Sequence, residues 1–418
     1  MSRYFILETL FALSLTSAAT AQVDVTSTAR PALTARAATK EALARNPELI
    51  ALRQEYEAAR AAPAQERYLM PPMFEAQIWG WPITALNPAR TDMYMFLGEQ
   101  ELPGRGKRAA RVLVAEREAD MSRQQIAVRA NEILNDVKQA FVDLALARDA
   151  AGVYAHQSTL LQDIAEAATL RYASGEGAQH HTIASLVELA RLEKDRIDAD
   201  ERAQAAETRL NTLVGRPVAQ AVEALDVAGG TVSPADAEQR ALSRHPELAM
   251  AAAAIAKEEA ELARLRGERH PDFVVGGGYM LMPGDAGAWT ARAGLTWPNA
   301  PWSRGRLTTE IDVQSKRLDA VTARREVVAA QIRQMVRQSV VRLTAAERQV
   351  RLLESTVLPQ VEHAFELARL SYAGGEGAFT DIVDARRMLL SVQLELAEAR
   401  ANASRARADL ETATGGAA

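Results

Sequence analysis

The 418-residue chain contains no cysteine, only 5% aromatic residues and six histidines. The first absence removes disulfides, thiolate metal sites, a lipidated terminal cysteine and a cysteine nucleophile together. The scattered histidines form no nucleophile–base–orienter set and no metal-ligand spacing, so no catalytic residue, metal site or cofactor is assigned. No Walker-type phosphate-binding loop is present. A formal net charge of −5 gives no basic field for nucleic acid. Past the leader, no run reaches the roughly 18 consecutive apolar residues of a membrane helix, although the weaker strand pattern of a β-barrel wall is not excluded by that test. What is plentiful is Ala, Leu, Glu, Arg and Gln, the composition of long helices.

The N-terminus reads as an export signal over residues 1–21. Arg3 supplies the basic start, Phe5 to Leu15 the apolar stretch and Ala19-Thr20-Ala21 the small-x-small cleavage site. A flexible segment is expected over 22–38.

An internal duplication offset by about 200 residues organises the rest. Ala42-Leu-Ala-Arg-Asn-Pro-Glu-Leu49 recurs as Ala241-Leu-Ser-Arg-His-Pro-Glu-Leu248, and Leu170-Arg-Tyr-Ala-Ser-Gly-Glu-Gly-Ala178 as Leu370-Ser-Tyr-Ala-Gly-Gly-Glu-Gly-Ala378. Each unit reads as a helix, two short strand candidates, a very long helix, a Gly-rich tip and a returning helix. The units span 39–217 and 234–413, joined by a linker at 218–233 and followed by a disordered tail at 414–418.

The long helix is the clearest element. No proline interrupts the stretch between Pro103 and Pro217, and Val112, Ala119, Ile126, Ile133, Ala140, Ala147, Tyr154, Leu161 and Ala168 recur every seven residues, as coiled-coil packing requires. The returning helix of the second unit repeats the pattern at Ile382, Leu389, Leu396, Ala403 and Leu410. Pro359 removes a backbone hydrogen bond about a dozen residues before the second tip and should kink or break that helix, whereas the first unit has Thr159 there. Glycines 175, 177, 375 and 377 suit the positive φ of a helix reversal, and Tyr172 and Tyr372 can cover the turns.

The strand candidates lie near 73–81, 91–99, 273–281 and 289–297. Trp289, Ala291, Ala293, Leu295 and Trp297 alternate with Thr290, Arg292, Gly294 and Thr296, the length and aromatic-ended pattern of a bilayer strand. Trp79 and Trp81 are further girdle candidates. Four strands cannot close a barrel, so a membrane sheet of this kind must close with strands of other copies. A soluble four-stranded sheet packed on the helices is the alternative.

The chain resembles the TolC family, the outer membrane factors of bacterial tripartite efflux pumps. The resemblance rests on the duplicated order of elements, Glu99-Gln-Glu-Leu-Pro-Gly-Arg-Gly-Lys-Arg108 leading from strand into long helix, Pro359, the two tips over 172–178 and 372–378, and Asp381-Ile-Val-Asp-Ala385. It implies a mainly α fold with a membrane portion: a homotrimer whose 12-stranded barrel in outer membrane lipid continues into a periplasmic helical tunnel. It also implies a passive exit duct fed by an inner-membrane efflux transporter through a periplasmic adaptor (membrane fusion protein), which would meet the tips at Tyr172, Gly175, Gly177, Tyr372, Gly375 and Gly377. Asp381 and Asp384, three apart on one helix face, stand where the family places its periplasmic constriction. His181 occupies a position where many members are acidic, and Gly377 one where some carry a latching arginine.

Adjacent His180 and His181 diverge by about 100° on a helix and do not chelate one ion together. Met70, Met73, Met93, Met95, Met280 and Met282 surround the strand candidates. Thioethers are soft ligands, and also flexible apolar filler. Their Met-Pro-Pro-Met context resembles the heavy-metal branch, which tilts the expected cargo, metal cations or small organic compounds, towards metal cations. A periplasmic coiled-coil adaptor or scaffold without a barrel is the competing function, but an adaptor normally has one hairpin flanked by compact β domains.

Overall fold

The computed structural model describes residues 33–81, 83, 84, 87, 91–222, 225, 226 and 236–416. The expected export signal over 1–21 lies outside the described residues, as do residues 22–32, most of the linker and residues 417 and 418.

In chain order the first half comprises β1 (Leu33–Thr34), α1 (Ala35–Arg45), α2 (Pro47–Glu66), β2 (Met73–Trp79), β3 (Met93–Leu102), α3 (Lys107–Ala173) and α4 (Gln179–Val214). A short β4 (Leu225–Asp226) pairs in parallel with β1. The second half comprises α5 (Ala237–Arg244), α6 (Pro246–Gly267), β5 (Phe273–Leu281), β6 (Ala288–Leu295), α7 (Arg304–Leu352), a π-helical stretch (Leu353–Val357), α8 (Leu358–Ala373) and α9 (Phe379–Ala413).

The single leading helix expected in each unit is in fact two. Asn46 caps α2 by accepting from the Glu48 and Leu49 amides, and Pro47 starts the helix where no amide is needed. His245 does the same for α6, with Nδ1 accepting from the Glu247 amide ahead of Pro246. The repeated Pro-Glu-Leu motif is therefore a helix boundary. Asn46 also donates to the Leu213 carbonyl and so ties this corner to the end of α4.

Helix α3 runs unbroken for 67 residues, about 100 Å at 1.5 Å per residue. Its buried positions include Ala119, Ile133, Ala140, Ala147, Leu161 and Ala168 of the seven-residue seam. In α9 all five seam residues, Ile382, Leu389, Leu396, Ala403 and Leu410, are buried. Pro359 does not break its helix. The preceding turn widens into the π stretch, where the Leu358 amide reaches back to the Leu353 carbonyl, and the chain continues as α8.

Strands β2, β3, β5 and β6 form one antiparallel sheet in that order. Strand β3 runs to Leu102, further than the alternation suggested, and β6 stops at Leu295, two residues short of Trp297. The register gathers the aromatic and most aliphatic side chains on one face. Phe74, Ala76 and Ile78 share a face with Tyr94 and Phe96, then with Tyr279, Val275 and Phe273, and finally with Trp289, Ala291, Ala293 and Leu295. The other face carries Glu75, Gln77, Glu99, Thr290 and Arg292, with a 3.1 Å ion pair between Arg292 and Glu99. Both faces are largely unpacked, and Trp289 is 83% exposed.

Helices and sheet meet at a buried joint. Lys107, 1% exposed, bridges Asp272 at 2.7 Å and Glu268 at 2.8 Å, and Asp272 also accepts from the Gly104 amide. Burial alone would lower the Lys107 pKa, but hydrogen bonds to Asp272 and Glu268 outweigh it and the net shift is upward. This joint fastens the β3–α3 crossing of the first half to the α6–β5 crossing of the second. No described helix is long and apolar enough to cross a membrane.

Candidate functional site

At the end far from the sheet, α3, α4, α8 and α9 meet around a buried core of Leu161, Ile164, Leu192, Val361, Phe365 and Ile382 with their neighbours. Both tips reverse in the same way. The Glu176 and Gly177 amides donate to the Arg171 carbonyl, and the Glu376 and Gly377 amides to the Ser371 carbonyl. Gly175 (φ 80°) and Gly375 (φ 83°) adopt the left-handed conformation expected of them. Gly177 and Gly377 do not. A Cβ at either would lie about 3.0 Å from the Tyr172 or Tyr372 amide nitrogen, so the need there is close approach of backbone.

The two tyrosines part company. Tyr372 is 4% exposed, with the Arg171 guanidinium 4.9 Å from its ring centre and Phe379 packed edge-on, whereas Tyr172 is 47% exposed. Arg171 also donates to the Tyr372 carbonyl at 3.0 Å, so the first tip grips the second. His181 stacks on Phe379 with centroids 4.7 Å apart, and His180 sits edge-on to His181 at 4.3 Å. Burial, then the neighbouring His180 and Arg171, hold the His181 pKa below its ordinary value. The described residues contain no group of three or more His, Asp or Glu placed to hold a metal ion.

Asp381 and Asp384 lie exposed in the first turns of α9. His181 stacks on Phe379, two residues before Asp381 at the start of the same helix. Asp384 is engaged by Arg387 at 3.2 Å.

The strongest polar feature of this region was missed by the sequence reading. Glu188 of α4 accepts from Arg387 (2.8 Å) and Arg386 (3.1 Å) of α9, and from Arg191 of its own helix (2.9 Å). Arg386 is 1% exposed, and its Nε and Nη1 have no hydrogen-bond partner among the described residues. Hydrogen bonding from Arg387, then the charges of Arg387, Arg386 and Arg191, hold the Glu188 carboxyl below its ordinary range against the opposing effect of burial. Burial pushes the Arg386 pKa down and the Glu188 charge opposes that shift, so Glu188 is the counter-ion of this buried guanidinium. The legible signal was position: Arg386 occupies a core site between Ile382 and Leu389, and Glu188 stands between the buried Ser185 and Leu192.

At the sheet the girdle candidates separate. Trp289 packs edge-on to Tyr279 at the turn end of the apolar face (5.2 Å), while Trp297 pairs with Trp302 (5.9 Å) beyond β6 at the helix end. Trp79 is opposite Met93 and so on the other face from Trp289, and Trp81 follows β2 in the connection toward β3.

The family described as Outer membrane efflux protein matches residues 237–416. The cobalt-zinc-cadmium resistance protein CzcC of Cupriavidus metallidurans is 26% identical over 294 residues, 69% of this chain and 69% of that protein. The outer membrane protein VceC of Vibrio cholerae superimposes with a TM-score of 0.75 at 17% identity, over 91% of this chain and 96% of that one. The MtrE outer membrane channel of Neisseria gonorrhoeae gives 0.74 at 18% identity, over 91% and 89%. With its membrane-suited sheet set on a helical body about 100 Å long, the chain resembles the outer membrane efflux protein family over residues 237–416 and shares the fold of these outer membrane proteins.

Proposed function

We propose that three copies close into one duct, each lending its four-stranded sheet to a barrel of twelve strands and its helices to a periplasmic tunnel. One observation carries this reading: the sheet has a face that is apolar but for Gln100 near its helix end, and it ends on two strands, β2 and β6, that each have a single strand neighbour. In hydrocarbon such edges leave backbone groups without partners unless β6 of one copy pairs with β2 of the next. That contact is head-to-tail, and its rotation must close into a ring. Exposed Ile183, Leu186 and Val187 on α4, Leu352 at the end of α7, and Leu367 and Leu370 on α8 supply apolar surface for neighbouring copies lower down. The two units at 39–217 and 234–413 then act as quasi-equivalent staves. Trp289 and Trp297 take the two interfacial levels of the lipid face.

In this duct the tips at 172–178 and 372–378 meet a periplasmic adaptor, and an inner-membrane transporter supplies cargo and energy. Asp381 and Asp384 ring the periplasmic constriction. The name of the CzcC relative favours metal cations over small organic compounds as cargo. The test is direct: the exported protein should fractionate with the outer membrane and run as a trimer in mild detergent. Recovery as a soluble monomer after osmotic shock would reject the barrel and revive the soluble scaffold.

A further inference from the structure

The face of the sheet that turns away from lipid in the proposed barrel is not uniformly polar. Glu75, Glu99, Thr290 and Arg292 occupy its helix half and middle, but the turn end carries Met93 and Met95 on β3 and Met280 on β5, with Gln77 of β2 opposite Met95. Met95 and Met280 are directly opposite in the register. Tyr94 pairs with Leu281, so one step further toward the turn Met93 meets the level of Met282. The carbonyl of Met282 is fixed by the Asp285 amide at 3.1 Å. Trp79 and Ala288 border the group on β2 and β6. Met70 and Met73 belong elsewhere. Met73 is opposite Glu99, six residues from the Met93 level, or about 20 Å along the strands.

A barrel lumen is ordinarily polar, and methionine gains nothing there from lipid contact. Burial does not account for the cluster either, because Met93, Met95, Met280 and Met282 are all only half-buried. Directly paired strand residues have Cα atoms about 4.5–5.5 Å apart, and the thioether ends an unbranched, three-bond stem, so several sulfurs can converge on one point.

Resting on the duct reading, we propose that Met93, Met95, Met280 and Met282 form a thioether site for soft monovalent cations, Cu(I) or Ag(I), at the outer mouth of the lumen. Thioethers are neutral and soft, and they select such ions over Zn(II) or Co(II), which prefer imidazole and oxygen donors. They also carry no proton to lose, so binding here is independent of pH, unlike that of a histidine or carboxylate site. A neutral site holds a cation weakly enough to release it, as conduction demands.

The test uses the purified full-length protein in mild detergent, titrated with silver nitrate in chloride-free buffer and read by native mass spectrometry and silver-edge X-ray absorption. The wild type should take one Ag(I) per chain with sulfur neighbours, equally at pH 6 and pH 8. Met95→Leu/Met280→Leu, which conserves volume, should weaken binding at least tenfold, while Met70→Leu/Met73→Leu at the far end should leave it unchanged. Silver held by nitrogen, or bound equally well by the Met95/Met280 double variant, overturns the site. X-ray absorption on the wild type decides the matter even if that variant fails to assemble. The same mass spectra report the assembly: a trimer without silver rejects the site and keeps the duct, whereas a silver-loaded monomer keeps the site and rejects the duct.

Discussion

Glu188 gathers three arginines within 3.1 Å and joins the returning helices of the two hairpins, α4 and α9. Replacing it by Gln leaves the buried Arg386 charge without its counter-ion, a change that costs about 3 kcal/mol where a buried pair loses one member. Glu188→Gln should therefore melt at lower temperature and show raised conductance in planar bilayers, because the tip bundle is loosened without touching the barrel. The pH dependence has a definite sign. The folded Glu188 pKa lies below its ordinary 4.5, so the clamp is at full strength above about pH 4.5 and is lost as the pH falls through the lowered value. Wild-type conductance should rise in that acid range, and Glu188→Gln should lack the transition. Arg387 divides itself between Glu188 and Asp384, so Asp384 carries less uncompensated charge than Asp381. In cation-selectivity measurements Asp381→Ala should thus cost more than Asp384→Ala, and the double substitution should abolish block by multivalent cations. Unchanged selectivity in the double variant would move the constriction away from α9.

At the scale of elements, the π stretch before Pro359 is the most informative departure from a regular coil. The proline ring would press on the carbonyl four residues back in an ideal α-helix, and the widened turn relieves that contact. Pro359→Ala removes the cause, so amide exchange over 353–359 should slow and the melting temperature should rise by a few degrees; an unchanged exchange pattern would mean that packing on α9 sets the π turn. Much of this level was legible in the sequence. Seven-residue seams gave α3 and α9, and strict alternation gave the sheet faces, because each pattern maps onto one backbone geometry. Boundaries were less legible. The Asn-Pro and His-Pro steps divided one expected helix into two, and β3 continued through Gln100 and Glu101, whose polarity hides a strand from a hydrophobic pattern. The Glu188 clamp was hidden for another reason: its partners lie 198 and 199 residues apart in sequence, and only the meeting of two hairpins brings them together.

For the whole molecule, direction follows from where the connections lie. The hairpin connections after β2 and β5 close the sheet at one end, and the 67-residue α3 departs from the other, so sheet connections and helical tips are at opposite poles. Lys107, with Asp272 and Glu268, fixes the joint between these parts, and Lys138–Glu411 (2.5 Å) and Arg405–Asp143 (2.7 Å) tie α3 to α9 further down, so the poles cannot exchange by a local rearrangement. A periplasmic helical body then places Asn87 outside the cell and Glu376 inside the envelope. Since the chain has no cysteine of its own, single replacements report without background. Asn87→Cys should react with an impermeant thiol reagent on intact cells, and Glu376→Cys should react only after the outer membrane is permeabilised. Labelling in the reverse order would invert the duct, while equal labelling of both on intact cells would mean that the sheet does not span the membrane at all.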